Sequence, residues 1–367
     1  MSTPFIPAAK PLIGERERAA VDRVLRSGMI AQGPEVAAFE EEFAAVMTPG
    51  RPCVAVNSGT SGLHLGLLAA GIGPGDEVIV PSFTFAATAN SVALTGATPV
   101  FADIEPTSFC LDPVDVAARL TPKTRAIMPV HLYGHPADMT AFTALADAHG
   151  LLVFEDAAQA HGATWAGRPV GTFGTFAMFS LYPTKNMTSG EGGMVACQTP
   201  QIQRAVRLLR NQGMERQYAN EVIGFNARMT DIHAAIGRVQ LEQVGGWTAA
   251  RRENAAYLDA HLEGVRVPSV APEATHVYHQ YTIRVDAAER DRMVAALRDE
   301  HGVGCGVYYP IPNHRLASLQ RYAPDGELAQ TERAAAEVIS LPVHPALAPA
   351  DRERVVAAVN AVARAGA

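Results

Sequence analysis

The sequence predicts an α/β fold, in which a large, mainly parallel sheet covered by helices is followed by a smaller α/β domain. Two observations support this prediction. Short, continuous apolar runs alternate with helical patterns to about residue 230, and such runs are typical of strands buried on both faces of a parallel sheet. The pattern then changes to long amphipathic helices and fewer strands. We therefore expect residues 1–240, including the N-terminal segment, to form the large domain and residues 241–367 the small one.

Composition limits the possible classes of function. The 367 residues are 48% hydrophobic and 18% charged, which suffices for a large core. The net charge of −7, with acids and bases interspersed, does not favour nucleic acid as a partner. Four dispersed cysteines predict neither a metal site nor disulfides, and no segment resembles a signal peptide or membrane span. We expect a cytoplasmic protein that binds no membrane.

The elements of the large domain follow in order along the chain. A first helix is predicted over residues 14–28, because Val21, Val24 and Leu25 share one helical face and Gly28 is a typical C-cap. Helical patterns separate most of the apolar runs that follow, as the crossovers between parallel strands require. These runs are CVAV, EVIV, TPVFADI, RAIMPV, LLVF, FAMFSL and GGMVACQ.

The small domain is predicted from the remaining pattern. The segment DIHAAIGRVQLEQV is an amphipathic helix, and after Gly245 and Gly246 a further helical stretch continues to Leu262. The run HQYTIRV, a helix ending in RDEHG, the run VGCGVYYP and a last helix complete the chain.

Polar or glycine-rich segments follow four of the predicted strands. NSGTSG follows CVAV, PSFTF follows EVIV, EDAAQAHG follows LLVF, and YPTKN follows FSL. Ligands of open α/β sheets bind at the carboxyl ends of the strands. We therefore expect the four segments to contribute to one binding site.

The first of these segments, residues 58–62, follows a strand and opens a helix. Its serine, threonine and glycine residues offer hydroxyls and backbone N–H groups at a helix N-terminus, where anions bind. An ordinary Ser/Thr N-cap is the alternative interpretation. No lysine follows the glycines as in a P-loop, which argues against a nucleoside triphosphate.

Two neighbouring acids, Glu155 and Asp156, end a strand apolar enough to be central in the sheet. A carboxylate there needs a partner, because burial removes its hydration. Only one of two adjacent strand residues faces a given side, so only one of these acids can face a cationic ligand in the cleft. A surface carboxylate that caps the next helix is the alternative.

Lys185 lies among small, hydroxyl-bearing and glycine residues. Such surroundings lower the pKa of an amine and let a cofactor approach closely, although a structural or phosphate-pairing lysine is the alternative. A phosphate cradle, an acid 29 positions before a lysine, and that lysine on a tight turn are together what pyridoxal phosphate requires.

Ordered motifs over nearly the whole chain strengthen this interpretation. They are NSGTSGLHL, PSFTFAATAN, GATPVFADI, PVHLYGHPADM, EDAAQAHGA, SLYPTKN, GEGGM and GFNARMTDIHAA. In these motifs the chain resembles the DegT-type sugar aminotransferases, which are fold type I pyridoxal phosphate enzymes. The resemblance implies a mainly parallel, seven-stranded sheet in the large domain and a smaller C-terminal α/β domain.

The resemblance also implies roles for individual residues. Lys185 would carry the cofactor and shuttle the proton, Asp156 would bind the pyridine nitrogen, and Gln159 would lie near the ring oxygen. Asn226 would reach the phosphate of a neighbouring subunit, which implies a homodimer with shared active sites. The remaining cofactor contacts would be Phe85 on the ring face and Gly59, Thr60, Ser61 and Ser180 at the phosphate.

The reaction implied by the resemblance is transfer of an amino group from L-glutamate to a nucleotide-linked keto-6-deoxysugar, with a dTDP-4-keto-6-deoxyhexose as the expected acceptor in amino-sugar biosynthesis. Some relatives carry histidine in place of the lysine and act as dehydratases, so Lys185 favours transamination. The alternatives are a 3-keto sugar nucleotide or a keto-inositol as acceptor, or a non-catalytic regulator that binds pyridoxal phosphate or a sugar nucleotide.

Four further residues are candidates for substrate contact, each with a structural alternative. His161 follows Gln159 by two positions and could instead pack behind the ring. Tyr309 and His314 lie in the aromatic, proline-rich segment YYPIPNHR, which could be an ordinary turn. Arg228 could meet a phosphate or simply pair with an acid.

Overall fold

The computed structural model describes residues 4–366. The helices of this range are α1 (Glu15–Ser27), α2 (Pro34–Met47), α3 (Gly59–Ala69), α4 (Ala87–Leu94), α5 (Pro113–Ala118), α6 (Met139–His149), α7 (Pro200–Arg210), α8 (Asp231–His261), α9 (Arg290–Asp299), α10 (Ala329–Glu337) and α11 (Pro349–Arg364). Single 3-10 turns cover Leu132–Gly134, Asn313–Arg315 and Gln320–Tyr322.

The strands of the described range comprise nine of four or five residues, which follow apolar runs of the sequence, and five shorter ones. They are β1 (Cys53–Val56), β2 (Glu77–Pro81), β3 (Thr98–Ala102), β4 (Thr124–Ile127), β5 (Leu152–Asp156), β6 (Thr164–Trp165), β7 (Arg168–Pro169), β8 (Phe176–Ser180), β9 (Gly193–Cys197), β10 (Met214–Arg216), β11 (Ala219–Asn220), β12 (Ala274–Thr275), β13 (Tyr281–Arg284) and β14 (Val338–Leu341).

Seven of these strands form the main sheet, in the order β1-β9-β8-β5-β4-β2-β3. The pairs from β8 to β3 are parallel, whereas β9 is antiparallel to both of its neighbours, β8 and β1. The mainly parallel α/β sheet predicted from the sequence is therefore confirmed. The segment between β8 and β9 reverses the chain, and this segment carries Lys185.

Helices cover both faces of the sheet. Successive residues of β1 show this directly, because Val54 packs into one apolar cluster with Leu63 of α3, whereas Ala55 packs into another with Phe39 of α2. On the adjacent strands β5 and β8, the rings of Phe154 and Phe176 stack with centroids 4.7 Å apart.

Glycines let α3 approach the sheet closely. A Cβ added at Gly62 would lie 2.8 Å from Cγ of Met178, and one at Gly66 would lie 2.6 Å from the ring of Phe176. Both contacts are shorter than side-chain carbons tolerate, so the absence of Cβ atoms sets how near the helix lies to β8. The N-terminus of α3 is thereby held beside the end of that strand.

The second part of the chain is built on α8, which runs for 31 residues without interruption. The boundary predicted at residue 240 falls inside this helix, and Gly245 and Gly246 do not break it. The antiparallel pair β13–β14 packs with α9 and α11 around a separate apolar core.

The start of the described range contacts the second part of the chain. Ile6 packs in the core of that part, and its backbone pairs with Val303, with the N–H of Gly304 donating to the Ile6 carbonyl at 2.7 Å. Across residues 4–366, no helix has both the length and the apolar character needed to cross a membrane.

Candidate active site

A cavity of about 440 Å³ opens between the two parts of the chain, where strands β1, β2, β5 and β8 end. This volume is typical of small-molecule sites. The residues predicted from four separate segments meet there, as the strand-end argument requires. Predicted site residues that line the cavity are Gly59, Thr60, Phe85, Asp156, Gln159, Ser180, Lys185 and Tyr309.

Lys185 lies in the turn that follows β8 and extends into the cavity. Its backbone N–H donates to the carbonyl of Tyr182 at 2.9 Å, which holds the turn. Burial lowers the pKa of its amine to about 8, against a smaller opposing effect of Asp156. A substantial share of the amine is therefore neutral near pH 8, as a nucleophilic amine requires.

The structure distinguishes the two neighbouring acids. Glu155 points away from the cavity and accepts backbone N–H bonds from Gly171, Phe173 and Gly174 at 2.7–2.9 Å. It also pairs with Nε2 of His131 at 3.3 Å. Burial acts to raise the pKa of Glu155, but these bonds outweigh it and the pKa is lowered. Glu155 is thus a buried, ionised structural acid.

Asp156 faces the cavity instead. Its Oδ2 accepts a hydrogen bond from the Thr88 hydroxyl at 2.7 Å, and its Oδ1 accepts the N–H of Ala158 at 3.2 Å. Burial raises the pKa of Asp156 in spite of these bonds. A buried carboxylate of this kind is stabilised by a cationic partner in the cavity, and a protonated pyridine nitrogen is one.

The amide of Gln159 is held from both ends. Its Oε1 accepts the backbone N–H of Tyr133 at 2.6 Å, and its Nε2 donates to the Tyr309 hydroxyl at 3.1 Å. Tyr133 has a left-handed backbone, with φ 57°, and its hydroxyl bonds the carbonyl of Tyr308. Tyr133 thus joins Gln159 to the loop of the second domain, a role that no sequence motif predicted.

The start of α3 forms a cradle at the end of β8. A Cβ at Gly59 would lie 3.1 Å from Cβ of Ser180, and one at Gly193 would lie 2.8 Å from the Ser58 carbonyl oxygen. The side chain of Ser58 caps the helix by accepting the N–H of Ser61 at 3.1 Å. The structure therefore shows the N-cap, and the same helix N-terminus, where Gly59 has no Cβ, is available to an anion.

Two predicted cofactor contacts lie outside this cavity. Ser61 does not line it, and its N–H and hydroxyl both bond Ser58. Asn226 lies beside Asn211, with which its backbone forms a bridge, and Arg228 donates to the Asn211 side chain at 2.8 Å. Neither Asn226 nor Arg228 lines the cavity of its own chain.

Two predicted substrate contacts are buried away from the cavity. His161 packs against Phe43 and Phe179, its ring nitrogens have no partner among residues 4–366, and burial lowers its pKa to about 3. His314 bonds the Ser82 hydroxyl through Nδ1 at 2.6 Å and Glu332 through Nε2 at 2.9 Å. The contact that the structure supports for His314 is therefore between the small-domain loop and the end of β2, rather than with substrate.

Several residues that line the cavity were not predicted. Thr84 and Glu191 lie within the motifs PSFTFAATAN and GEGGM without having been singled out, whereas the small-domain residues reach the site only through tertiary folding. The most polar of them are Thr84, Glu191, His279, Gln280 and Ser340. Ala8 and Ala9 of the N-terminal segment also line it. In the range 4–366, no group of three metal-binding side chains is present.

The donor set fits pyridoxal phosphate. A helix N-terminus lies near Ser180 for the phosphate, a buried carboxylate for the pyridine nitrogen, an amide for the ring oxygen, and an amine of lowered pKa for the aldehyde. These groups belong to one cavity, and each has the chemistry that the corresponding part of the cofactor needs.

Comparison with known proteins agrees with this geometry. The model of the DegT/DnrJ/EryC1/StrS aminotransferase family matches residues 11–360. The chain is 42% identical to the dTDP-3-amino-3,4,6-trideoxy-alpha-D-glucose transaminase of Streptomyces venezuelae, over 98% of this chain and 96% of that protein.

Solved structures are similar over the same extent. The crystal structure of S. venezuelae DesV in complex with a ketimine intermediate has a TM-score of 0.94 and 42% identity, covering 98% of this chain and 99% of the other. That of Bacillus subtilis NtdA with bound cofactor PMP has a TM-score of 0.90 and 29% identity, covering 99% and 85%. The chain therefore belongs to the DegT/DnrJ/EryC1/StrS family and is a pyridoxal-phosphate-dependent sugar aminotransferase.

Proposed function

We propose that this enzyme transfers the amino group of L-glutamate to a nucleotide-linked keto-6-deoxysugar in amino-sugar biosynthesis, with a dTDP-4-keto-6-deoxyhexose as acceptor. The observation that carries the proposal is the meeting of Lys185, Asp156 and Gln159 in one cavity that opens between the two domains. A non-catalytic regulator would need no amine of lowered pKa beside a buried carboxylate.

Each residue of the cavity then has a chemical task. When bound, pyridoxal phosphate supplies the electron sink and carries the nitrogen between the two substrates. Lys185 would hold the cofactor through Nζ, and the same atom, as a free amine, would accept and return the proton of the reacting carbon. Asp156 keeps the proton on the pyridine nitrogen, and Gln159 donates toward the ring oxygen. Gly59, Thr60 and Ser180 bind the phosphate, and Phe85 stacks on the ring.

A second acceptor class is supported by a specific observation. The relative from S. venezuelae is named for a 3-amino sugar linked to dTDP. A 3-keto acceptor would place the reacting carbon one ring position away from that of a 4-keto sugar. Sites that differ by a few contacts discriminate such substrates by only about 1–3 kcal/mol. The 3-keto acceptor is therefore retained as an alternative to the 4-keto acceptor.

The experiment is transfer of label from [15N]glutamate to a panel of keto sugars. The panel contains dTDP- and GDP-linked 4-keto-6-deoxyhexoses, a dTDP-linked 3-keto-6-deoxyhexose and a keto-inositol, with Lys185→Ala as the inactive control. We expect label in the dTDP-4-keto product. Label in the 3-keto product alone would show that the acceptor is the 3-keto sugar rather than the 4-keto sugar. Absence of label from glutamate with every acceptor would contradict the proposed donor.

We also propose a homodimer in which Asn226 completes the phosphate site of the second copy. Asn226 does not line the cavity of its own chain, yet it follows a segment in which Tyr218 is 87% and Ile223 92% exposed. Large apolar side chains exposed in this way are typical of a contact surface. Phe85, at the mouth of the cavity, is 59% exposed as well.

A further inference from the structure

The carboxylate of Asp156 is held by a hydroxyl from within the motif PSFTFAATAN, on a residue to which no role was assigned from the sequence. Thr88 lies in the first turn of α4, is 1% exposed, and donates from Oγ1 to Oδ2 of Asp156 at 2.7 Å. The two residues are 68 positions apart in the chain. Among residues 4–366, the second oxygen, Oδ1, accepts only the backbone N–H of Ala158, at the longer distance of 3.2 Å.

The direction of this hydroxyl is not the ordinary one for a helix. Serine and threonine in helices commonly donate to a carbonyl three or four residues earlier. Ser91 and Thr95, of the same helix and its C-cap, do this, donating to the carbonyls of Thr88 and Val92 at 2.8 Å. Thr88 instead directs its proton across to β5. The Thr84 hydroxyl, 3.4 Å away, then acts as the donor to Thr88 in their mutual contact.

The bond acts on the charge of Asp156. Burial raises the pKa of this carboxyl, and the Thr88 hydroxyl is the largest of the influences that oppose the increase, ahead of the Ala158 N–H. The charged or titratable groups that also act on Asp156 are Lys185 and His131. Without the hydroxyl, one carboxylate oxygen would be left without a donor in a buried position.

We propose that Thr88 is a positioning residue, whose hydroxyl fixes the carboxylate of Asp156 in the orientation that receives the protonated pyridine nitrogen of the cofactor. The inference rests on the proposed role of Asp156 but not on the identity of the sugar or the amino donor. Thr88 acts through Asp156 and does not itself line the cavity.

The test uses full-length variants and the cofactor alone. Thr88→Val and Thr88→Ala remove the hydroxyl, and Thr88→Ser retains it. Thr95→Val removes a buried hydroxyl of the same region that bonds the Val92 carbonyl and the Ala97 N–H rather than Asp156. The two readouts are the dissociation constant of pyridoxal phosphate and the pH at which the absorption band of the bound cofactor changes. Circular dichroism shows which variants are folded.

We expect Thr88→Val to weaken cofactor binding about 10- to 100-fold, as loss of a hydrogen bond to a charged group predicts. It should also shift the pH at which the band changes, because the pyridine nitrogen loses a well-placed anion. Thr88→Ser and Thr95→Val should stay within about threefold of the wild type.

Three results would overturn the inference. In the first, folded Thr88→Val and Thr88→Ala bind pyridoxal phosphate and titrate like the wild type. In the second, Thr88→Ser loses as much affinity for pyridoxal phosphate as Thr88→Val. In the third, Thr95→Val loses as much affinity as Thr88→Val. The second result would indicate packing of the methyl group, and the third a general loss of stability. A wild type that binds no pyridoxal phosphate would contradict the proposed function itself, which keeps the two failures distinct.

Discussion

The reactivity of the cavity depends on a single lysine side chain. The chain has only three lysines, at positions 10, 123 and 185, and the first and second are exposed. Burial lowers the pKa of Lys185 from 10.5 to about 8, so its neutral form appears at a lower pH than that of an exposed lysine. This difference can be measured directly in the cofactor-free protein.

We expect the rate of pyridoxal phosphate capture to rise with pH and to level off above about pH 8. Stopped-flow absorbance over a pH series measures the rate. Acetyl-lysine amide, measured in parallel, accounts for ionisation of the cofactor. A capture rate that keeps rising toward pH 10, in step with the model amine, would mean that Lys185 is not desolvated.

The buried hydrogen bonds of Glu155 predict that it contributes to stability rather than to catalysis. Its carboxylate accepts three backbone N–H bonds and that of His131, and an amide would turn a donor toward them. We expect Glu155→Gln to lower the free energy of unfolding by on the order of 3 kcal/mol, measured with denaturant at pH 7. The exposed Glu41→Gln is the control.

The pH dependence of this contribution follows from the sign of the shift. The pKa of Glu155 is lower in the folded protein than its ordinary value of 4.5. Its stabilisation is therefore complete above pH 4.5 and is lost as the pH falls through the lower folded value. Equal free energies of unfolding for the wild type and Glu155→Gln at pH 7 would show that the Glu155 carboxylate does not stabilise the folded protein.

At the scale of elements, the position of α3 determines where the phosphate cradle lies. Gly66→Ala would place a Cβ 2.6 Å from the Phe176 ring, which cannot move because Phe154 stacks on it. We expect a loss of about 1–3 kcal/mol in the free energy of unfolding. Gly73→Ala, where a Cβ meets no atom within 4 Å, is the control. Equal denaturation midpoints for the two variants would refute the close-approach argument.

The sequence predicted those elements whose apolar pattern is set by burial on two faces. The strands β1, β2, β5 and β8 and the meeting of their carboxyl ends follow from that pattern. The continuity of α8 through Gly245 and Gly246 does not follow from the apolar pattern. Each glycine costs a helix only about 1 kcal/mol, and packing along α8 exceeds this cost.

The site was predictable where a motif marks it, and not where the fold brings distant residues together. Lys185 and the two neighbouring acids are visible in the sequence, and the family resemblance selects Asp156. The strand pattern alone does not show which face of β5 meets the cavity. The bond from Thr88 and the contact of Tyr133 with Gln159 depend on tertiary packing alone. For His314, proximity in the chain to Tyr309 suggested the cavity, but its partners Ser82 and Glu332 hold it elsewhere.

At the scale of the whole molecule, the proposed dimer predicts complementation between two defective chains. Lys185→Ala has no reactive amine, and Asn226→Ala lacks the residue that reaches the second copy. Mixed dimers contain one site with both residues intact. We expect activity in the refolded mixture to rise to as much as about one quarter of the wild type, since random pairing makes half of the dimers mixed and one of their two sites complete.

The controls for this experiment are each variant refolded alone and the double variant mixed with wild type. Sedimentation establishes whether the protein is dimeric under the assay conditions. A monomeric protein would contradict a shared site. So would a mixture whose activity does not exceed the residual activity of its Asn226→Ala chains.

The most direct measurement of the central claim is reductive trapping of the cofactor followed by peptide mapping. The holoenzyme is treated with borohydride before and after incubation with L-glutamate, and the three lysine-containing peptides are compared. The account predicts phosphopyridoxyl label on Lys185 alone, and loss of that label after glutamate has converted the cofactor to its amine form. Label on Lys10 or Lys123 instead, or no label at all, would contradict the assignment of this cavity as the site of a pyridoxal-phosphate-dependent aminotransferase.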